Sequence, residues 1–278
     1  MKQFNDPAHL VGDQYRNGTN LNARVALHER FSTNTQGWTS WVFERLTIQP
    51  GERVLELGCG PGHLWAKNLG WLPGCQLRLT DLSPGMVDEA RRNVEQARSA
   101  RDDPAAVGLR FEVMDAQCIP LDDGSCDVVI ANHMLYHVPD RERALIEARR
   151  VLRPGGRFFA STIGRAHLDE LIRLKARFGI GVGLATGGAM AEAFGLETGG
   201  RQLVRHFADV RLHLYDDNLV VTEIEPLMAY VKSSMTAYEI EAYREGLAAL
   251  ARHCEQEIAG QGAVRVTKAS GLFSAVKP

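Results

Sequence analysis

The sequence predicts an α/β fold, a mostly parallel sheet with helices on both faces, and three observations carry that reading. Between Trp38 and Ile163, short β-branched runs alternate with longer amphipathic stretches, the rhythm of parallel strands joined by crossover helices. The first run ends in Glu56-Leu-Gly-Cys-Gly-Pro-Gly62, an acid followed by three alternating glycines, where a parallel sheet meets its ligands. The second run ends in another acid, Asp81.

The elements follow in order. The turn Gln49-Pro-Gly-Glu52 leads into a strand at Arg53–Leu57, and a helix begins at His63. Gln76–Asp81 is the second strand. Ser83-Pro84 opens the next helix, since Ser caps a helix and Pro suits its first turn. Leu109–Asp115 and Cys126–His133 are the third and fourth strands. Asp140–Leu152 is a helix with Ala144, Leu145, Ala148, Val151 and Leu152 on its buried face, stopped by Arg153-Pro-Gly-Gly156. Arg157–Ile163 is the fifth strand. Ala166–Phe178 is helical, and the glycine-rich run Gly179–Gly188 is either a lid segment or a turn. Val210–Tyr215 and Gly271–Val276 complete a seven-stranded sheet as an antiparallel pair, with the largely helical Pro226–Gly260 between them. The expected units are an N-terminal helical lid (1–37), a ligand-binding core (38–164), a helical cap (165–208), and a C-terminal part of the sheet (209–278) with its helical insertion (226–260).

A chain of 278 residues buries one large core, or one core and a modest appendage. Its formal net charge of -2 lacks the basic excess of a nucleic-acid binder. Arg91-Arg92 and Arg149-Arg150 are expected as solvated helix faces. The five cysteines form no C-x-x-C pair and are odd in number, which favours reduced thiols and a cytoplasmic protein. The first residues lack the apolar core of a signal peptide, and no apolar run is long enough to span a bilayer.

The glycine turn decides between ligand classes. A dinucleotide site reads G-x-G-x-x-G, whereas here Gly58, Gly60 and Gly62 alternate, with Pro61 and His63 between and after them. Gly58 and Gly60 are expected to let a ligand lie against bare backbone. Glu56 would repel a pyrophosphate but suits an ammonium group.

Glu56-Leu-Gly-Cys-Gly-Pro-Gly62 resembles the first motif of the class I S-adenosylmethionine-dependent methyltransferases, small-molecule branch, and later segments agree. Asp81-Leu-Ser-Pro-Gly-Met86 is similar to the family's D-x-S-x-x-M segment. Asn132–Val138 and Arg149-Arg-Val-Leu-Arg-Pro-Gly-Gly156 look like segments of its ubiquinone-, menaquinone- and sarcosine-type methylases. The resemblance implies a Rossmann-like sheet and S-adenosyl-L-methionine as cofactor, leaving as S-adenosyl-L-homocysteine. Asp81 would hold the ribose hydroxyls, Leu82 and Met86 would pack on the adenine, and Asp115-Ala116 would read its amino edge. Asn132 would border the same cleft, and Cys59 would contribute a backbone N–H. By position, Tyr15 would contact the cofactor.

Two further segments bear on the acceptor. Asn20 is expected to cap a helix that places Leu21, Arg24, His28 and Phe31 on one stripe. Arg24 there either meets an anion, such as the cofactor's carboxylate or an acidic substrate, or pairs locally or reaches water. His28 faces the substrate. At the end of the fourth strand, His133 and His137 are candidate general bases and Tyr136 a substrate contact. No His-x-x-x-His or carboxylate cluster suggests a metal. The expected activity is methyl transfer to a small molecule, with no nucleic acid or membrane involved and oligomerisation left open. The rivals are a non-catalytic cofactor-binding sensor or partner subunit, and aminopropyl transfer on the same fold.

Overall fold

Alternation at period two builds the sheet. In the computed structural model, which describes residues 5–16, 18–100, 108–181 and 187–278, the strands are β1 (Arg53–Leu57), β2 (Gln76–Asp81), β3 (Gly108–Val113), β4 (Cys126–Asn132), β5 (Leu152–Ile163), β6 (Ala208–Tyr215) and, last in the chain, β9 (Ser270–Val276). They lie in the order β3-β2-β1-β4-β5-β9-β6. The first five are mutually parallel, and β9 runs antiparallel to both β5 and β6. This is the seven-stranded arrangement expected from the sequence.

Successive residues feed opposite faces. Leu55, Val129, Phe158 and Phe273 enter one core, and their chain neighbours Val54, Val128, Phe159 and Leu272 enter the other. Helices α3 (Trp38–Leu46), α4 (His63–Asn68) and α5 (Pro84–Ser99) pack on the second face, while α6 (Arg141–Val151), α8 (Gly187–Phe194) and α9 (Gly199–Leu203) pack on the first.

The start and stop signals act as the sequence suggests. Ser83 Oγ accepts from Met86 N–H at 3.4 Å with Pro84 at the first position, a cap worth about 1 kcal/mol. Asp140 caps α6 through Arg143 N–H at 3.0 Å. Arg153–Gly156 does end α6, but it continues as an irregular start to β5. The register jumps from Cys126↔Leu152 to Val128↔Arg157, and Asp127 holds the bulge through Arg53 and Arg153.

Four expectations need correction. Asn20 is not the cap of α2 (Thr19–Phe31); Gly18 precedes the helix, its N–H donating to Glu89 Oε2 at 2.7 Å. The helix expected from Ala166 begins only at Asp169 (α7, Asp169–Arg177), because Leu168 takes a left-handed φ of 57°. Arg150 is no solvated face: it donates to Glu147, Asp123 and the carbonyls of Leu121 and Ile119. Finally, β7 (Asn218–Val221) and β8 (Val264–Thr267) form a separate antiparallel ribbon that the sequence reading missed.

That ribbon belongs to a third core. Leu27 and Phe31 of α2, Leu171 of α7, Leu219 of β7 and Val266 of β8 pack there with the helices between β7 and β8: α10 (Ile224–Lys232), α11 (Ala237–Ala242) and α12 (Arg244–Gln261). The short α1 (Pro7–His9) lies at the start of the described chain. Of the glycine-rich run, residues 182–186 lie outside the described residues. Among the described residues no helix is long and apolar enough to cross a membrane, and no group of three or more His, Cys, Asp or Glu is arranged to hold a metal ion.

Candidate active site

The carboxyl ends of β1, β2, β4 and β5 open on a cavity of 860 Å³, roofed by α2 and the third core. All sixteen candidate residues line it: Tyr15, Arg24, His28, Glu56, Gly58, Cys59, Gly60, Asp81, Leu82, Met86, Asp115, Ala116, Asn132, His133, Tyr136 and His137. Lining a cavity is not the same as facing a ligand, and the contacts separate their roles.

The glycine turn is held by its own backbone. Gly58, Gly60 and Gly62 have φ of 68°, 53° and 75°, a region that disfavours any side chain. A Cβ at Gly58 would stand 2.8 Å from Met134 Cβ, so this glycine makes room for the loop after β4. A Cβ at Gly62 would meet Ala90 and Val94 at 3.1–3.2 Å, so that glycine lets α5 pack closely. The Cys59 N–H, expected to face a ligand, instead donates to the Thr80 carbonyl at 2.8 Å.

Asp81 is the pivot of the glycine-turn end of the cavity. Its Oδ2 accepts from Gly60 N–H at 3.0 Å and its Oδ1 from Ser83 N–H at 2.9 Å. Burial raises the carboxyl and these N–H groups draw it back. Each carboxylate oxygen thus keeps lone-pair capacity, which suits a pair of vicinal hydroxyls. Asp115 accepts from Gln117, and Ala116 and Met114 add apolar surface beside it. Glu56 is 1% exposed and accepts from Trp65 Nε1 at 2.5 Å. Burial pushes it up to about 7, with the Trp65 bond opposing. A cationic group brought close would favour its ionised form. Asn132 Oδ1 accepts from Ser161 Oγ, and Met86 is 1% exposed.

Across the cavity, Tyr15 OH and His137 Nε2 share a hydrogen bond of 2.9 Å, and the Tyr15 carbonyl accepts from Ser83 Oγ at 2.7 Å. The N-terminal segment is thereby tied both to the loop after β2 and to the loop after β4. His133 has φ of 53° and donates its N–H to Ser161 Oγ at 2.9 Å. Burial and Lys268 lower its imidazole to about 4, a weak proton acceptor at neutral pH. Burial also lowers His28 to about 3, Lys268 and His133 adding to the effect while Asp217 opposes it. Burial raises the Tyr136 phenol. Arg24 donates to Ser233 Oγ and to the Ser233 carbonyl, each at 3.0 Å, which ties α2 to the end of α10.

Sequence reasoning missed Trp38, His167 and Lys268, which line the same cavity. Trp38 lies 4.9 Å from the His133 ring, and His167 6.0 Å from the His28 ring. A signal for Lys268 was present: a terminal strand antiparallel to β5 starts where β5 ends, since Ile163 pairs with Ser270.

Residues 55–160 match the family described as Methyltransferase domain. Over 122 residues the chain is 37% identical to the malonyl-[acyl-carrier protein] O-methyltransferase of Methylococcus capsulatus, covering 44% of this chain and 41% of that one. Over 131 residues it is 38% identical to the ubiquinone/menaquinone biosynthesis C-methyltransferase UbiE of Acidiphilium cryptum, covering 46% and 49%. The chain spans less than half the length of these curated relatives. Among solved structures, phosphoethanolamine N-methyltransferase 2 of Haemonchus contortus, in complex with S-adenosyl-L-methionine, shares the fold with a TM-score of 0.58 at 20% identity, covering 100% of this chain and 60% of that one.

Proposed function

We propose, from the premise that residues 55–160 belong to the class I S-adenosylmethionine-dependent methyltransferase family, that this chain transfers a methyl group from that cofactor to a small molecule. The observation that carries the reading is the Asp81 carboxylate, clasped by Gly60 and Ser83 N–H at the sheet's ligand-binding edge. The residues present fit the cofactor. Asp81 would hold its ribose, Leu82, Ala116 and Asp115 its adenine, and Glu56 would lie on the side of its ammonium group. When bound, S-adenosylmethionine supplies a methyl group on a sulfonium, an electrophile with a good leaving group.

The chain's own work is then alignment and exclusion of water. The expected cap at 165–208 needs trimming, because α8 and α9 pack on the sheet; α2, α7 and α10–α12 form the cap, and the Tyr15–His137 bond fastens the N-terminal segment. His137 is the better candidate to take a proton from an acceptor, since burial and Lys268 leave the His133 imidazole a weak base, and the Tyr15 hydroxyl on His137 Nε2 is positioned to relay the proton. The 860 Å³ cavity accommodates a small second molecule beside the cofactor, pockets of about 300–1,000 Å³ being usual for such ligands. The relatives include an O- and a C-methyltransferase by name, so the acceptor is read from the cavity and not from kinship.

The test is calorimetric titration with S-adenosylmethionine and S-adenosylhomocysteine. The wild type should bind both, and Asp81→Ala should weaken each by about tenfold or more, as expected for hydrogen bonds to a charged group. A folded wild type that binds neither overturns the proposal.

A further inference from the structure

Beyond the glycine turn, the cavity has a second end whose chemistry cofactor binding does not use. Five rings from five stretches of the chain meet there. Trp38 lies 4.9 Å from His133, His28 lies 6.0 Å from His167, and Tyr230 meets His28 edge-on at 5.8 Å. Trp38 Nε1 and His28 Nδ1 are shielded from solvent and have no hydrogen-bond partner. An indole N–H donates only, so a group that satisfies it must bring a lone pair. An oxygen can do this and an ammonium cannot.

Charge points the same way. Aromatic faces attract cations, but Arg24 and Lys175 also line the cavity. The carboxylates that could offset a cation already have partners. Asp217 is ion-paired with Lys268, Glu239 accepts from the N–H and hydroxyl of Thr236, and Glu29 is paired with Lys67. His28, His133 and His167 are all held neutral by burial, with Lys268 adding to the effect.

We propose that this end of the cavity is the acceptor subsite, that it takes a hydroxylated aromatic molecule in preference to an amine, and that Trp38 and His28 are the residues that make the choice. The identity of the subsite as the acceptor's rests on the methyl-transfer reading, whereas its preference for a phenol over an amine stands on the residues alone.

The two are tested together and separated by their outcomes. Calorimetry on the full chain, with and without saturating S-adenosylhomocysteine, compares 4-ethylphenol with phenethylamine, probes of nearly equal size. The phenol is expected to bind at least about tenfold more tightly. Trp38→Phe and His28→Phe should each cut phenol affinity by about fivefold or more and narrow the preference, while leaving S-adenosylhomocysteine affinity within about twofold of the wild type. That last measurement also shows each variant to be folded. Equal or reversed preference, a preference untouched by both substitutions, or binding of neither probe overturns the subsite. If the phenol preference is found but S-adenosylhomocysteine does not bind, the subsite stands and the cofactor reading fails.

Discussion

A single carboxyl makes the most specific prediction at the residue scale. Glu56 is held near 7 in the fold against an ordinary 4.5, so the folded state holds its proton more tightly than the unfolded chain. The stability it contributes is fully present below pH 4.5 and is lost as pH rises through 7. Glu56→Gln keeps an acceptor for Trp65 and removes the titration. Urea denaturation of this variant should therefore show a flatter pH dependence between about pH 5 and 8 than the wild type. The same carboxyl should release a proton at about pH 6 when an ammonium-bearing cofactor binds, measured calorimetrically in two buffers of different ionisation enthalpy; Glu56→Gln should release none. A second residue-scale prediction concerns Tyr15 and His137. If their shared bond is what seats the N-terminal segment, Tyr15→Phe and His137→Phe should each lower turnover, and the double variant should be no worse than the poorer single one. Additive losses would show that the two act separately. Glu56, Tyr15 and His137 were all legible in the sequence as candidates and all line the cavity, but the Trp65 bond to Glu56 was not, because nothing in a nine-residue spacing announces a buried indole–carboxyl bond.

Elements meet at an ion pair. Lys268, on the turn between β8 and β9, is 6% exposed at its side chain and Asp217, on the turn between β6 and β7, is 0%. Asp217 also accepts from Ser32, Thr33 and Asn34 at the end of α2. Three separate stretches of chain converge on one carboxylate. Removing one partner of a buried pair costs about 3–5 kcal/mol, so Lys268→Met should lower unfolding free energy by that order, and adding Asp217→Asn should restore part of it. Equal loss in single and double variants would mean that packing, and not the stranded charge, sets the cost. The parallel core of the fold was legible because β1 and β4 are apolar runs ended by turns and α5 and α6 carry side-chain caps. The β7–β8 ribbon was not. Its strands are four residues each, too short for alternation to stand out, and both flank a helical stretch that dominates the local pattern. Asn20 misled because a good capping residue stands two places after Gly18, the residue that in fact precedes the helix, and a contact to distant Glu89 decided the start.

For the whole molecule, the cavity walls come from residues as far apart as Tyr15 and Ser270, so a ligand there reports on the entire fold. A cofactor at about 100 times its dissociation constant stabilises the native state by about 2.7 kcal/mol. S-adenosylhomocysteine should raise the midpoint of thermal unfolding accordingly, and a tenfold loss of affinity in Asp81→Ala should remove about half of that rise at the same concentration. Two of the three cores lie on the sheet and one lies in the cap. A ligand bound between them should therefore slow hydrogen exchange in α2 and α10 as well as in the turn after β1.

The position of β9 also governs the order in which the molecule can be made. It follows β6 in the chain, yet it belongs between β5 and β6, and Lys268, which lines the cavity, comes just before it. A chain emerging from the ribosome carries its glycine turn and Asp81 well before β9, while β5 and β6 still await the strand that joins them. The wall of the cavity at the glycine turn can form early, but the wall that holds Lys268 and Ser270 arrives only with β9. A copy cut short before Lys268 therefore lacks one side of the cavity and the strand that closes the sheet around it.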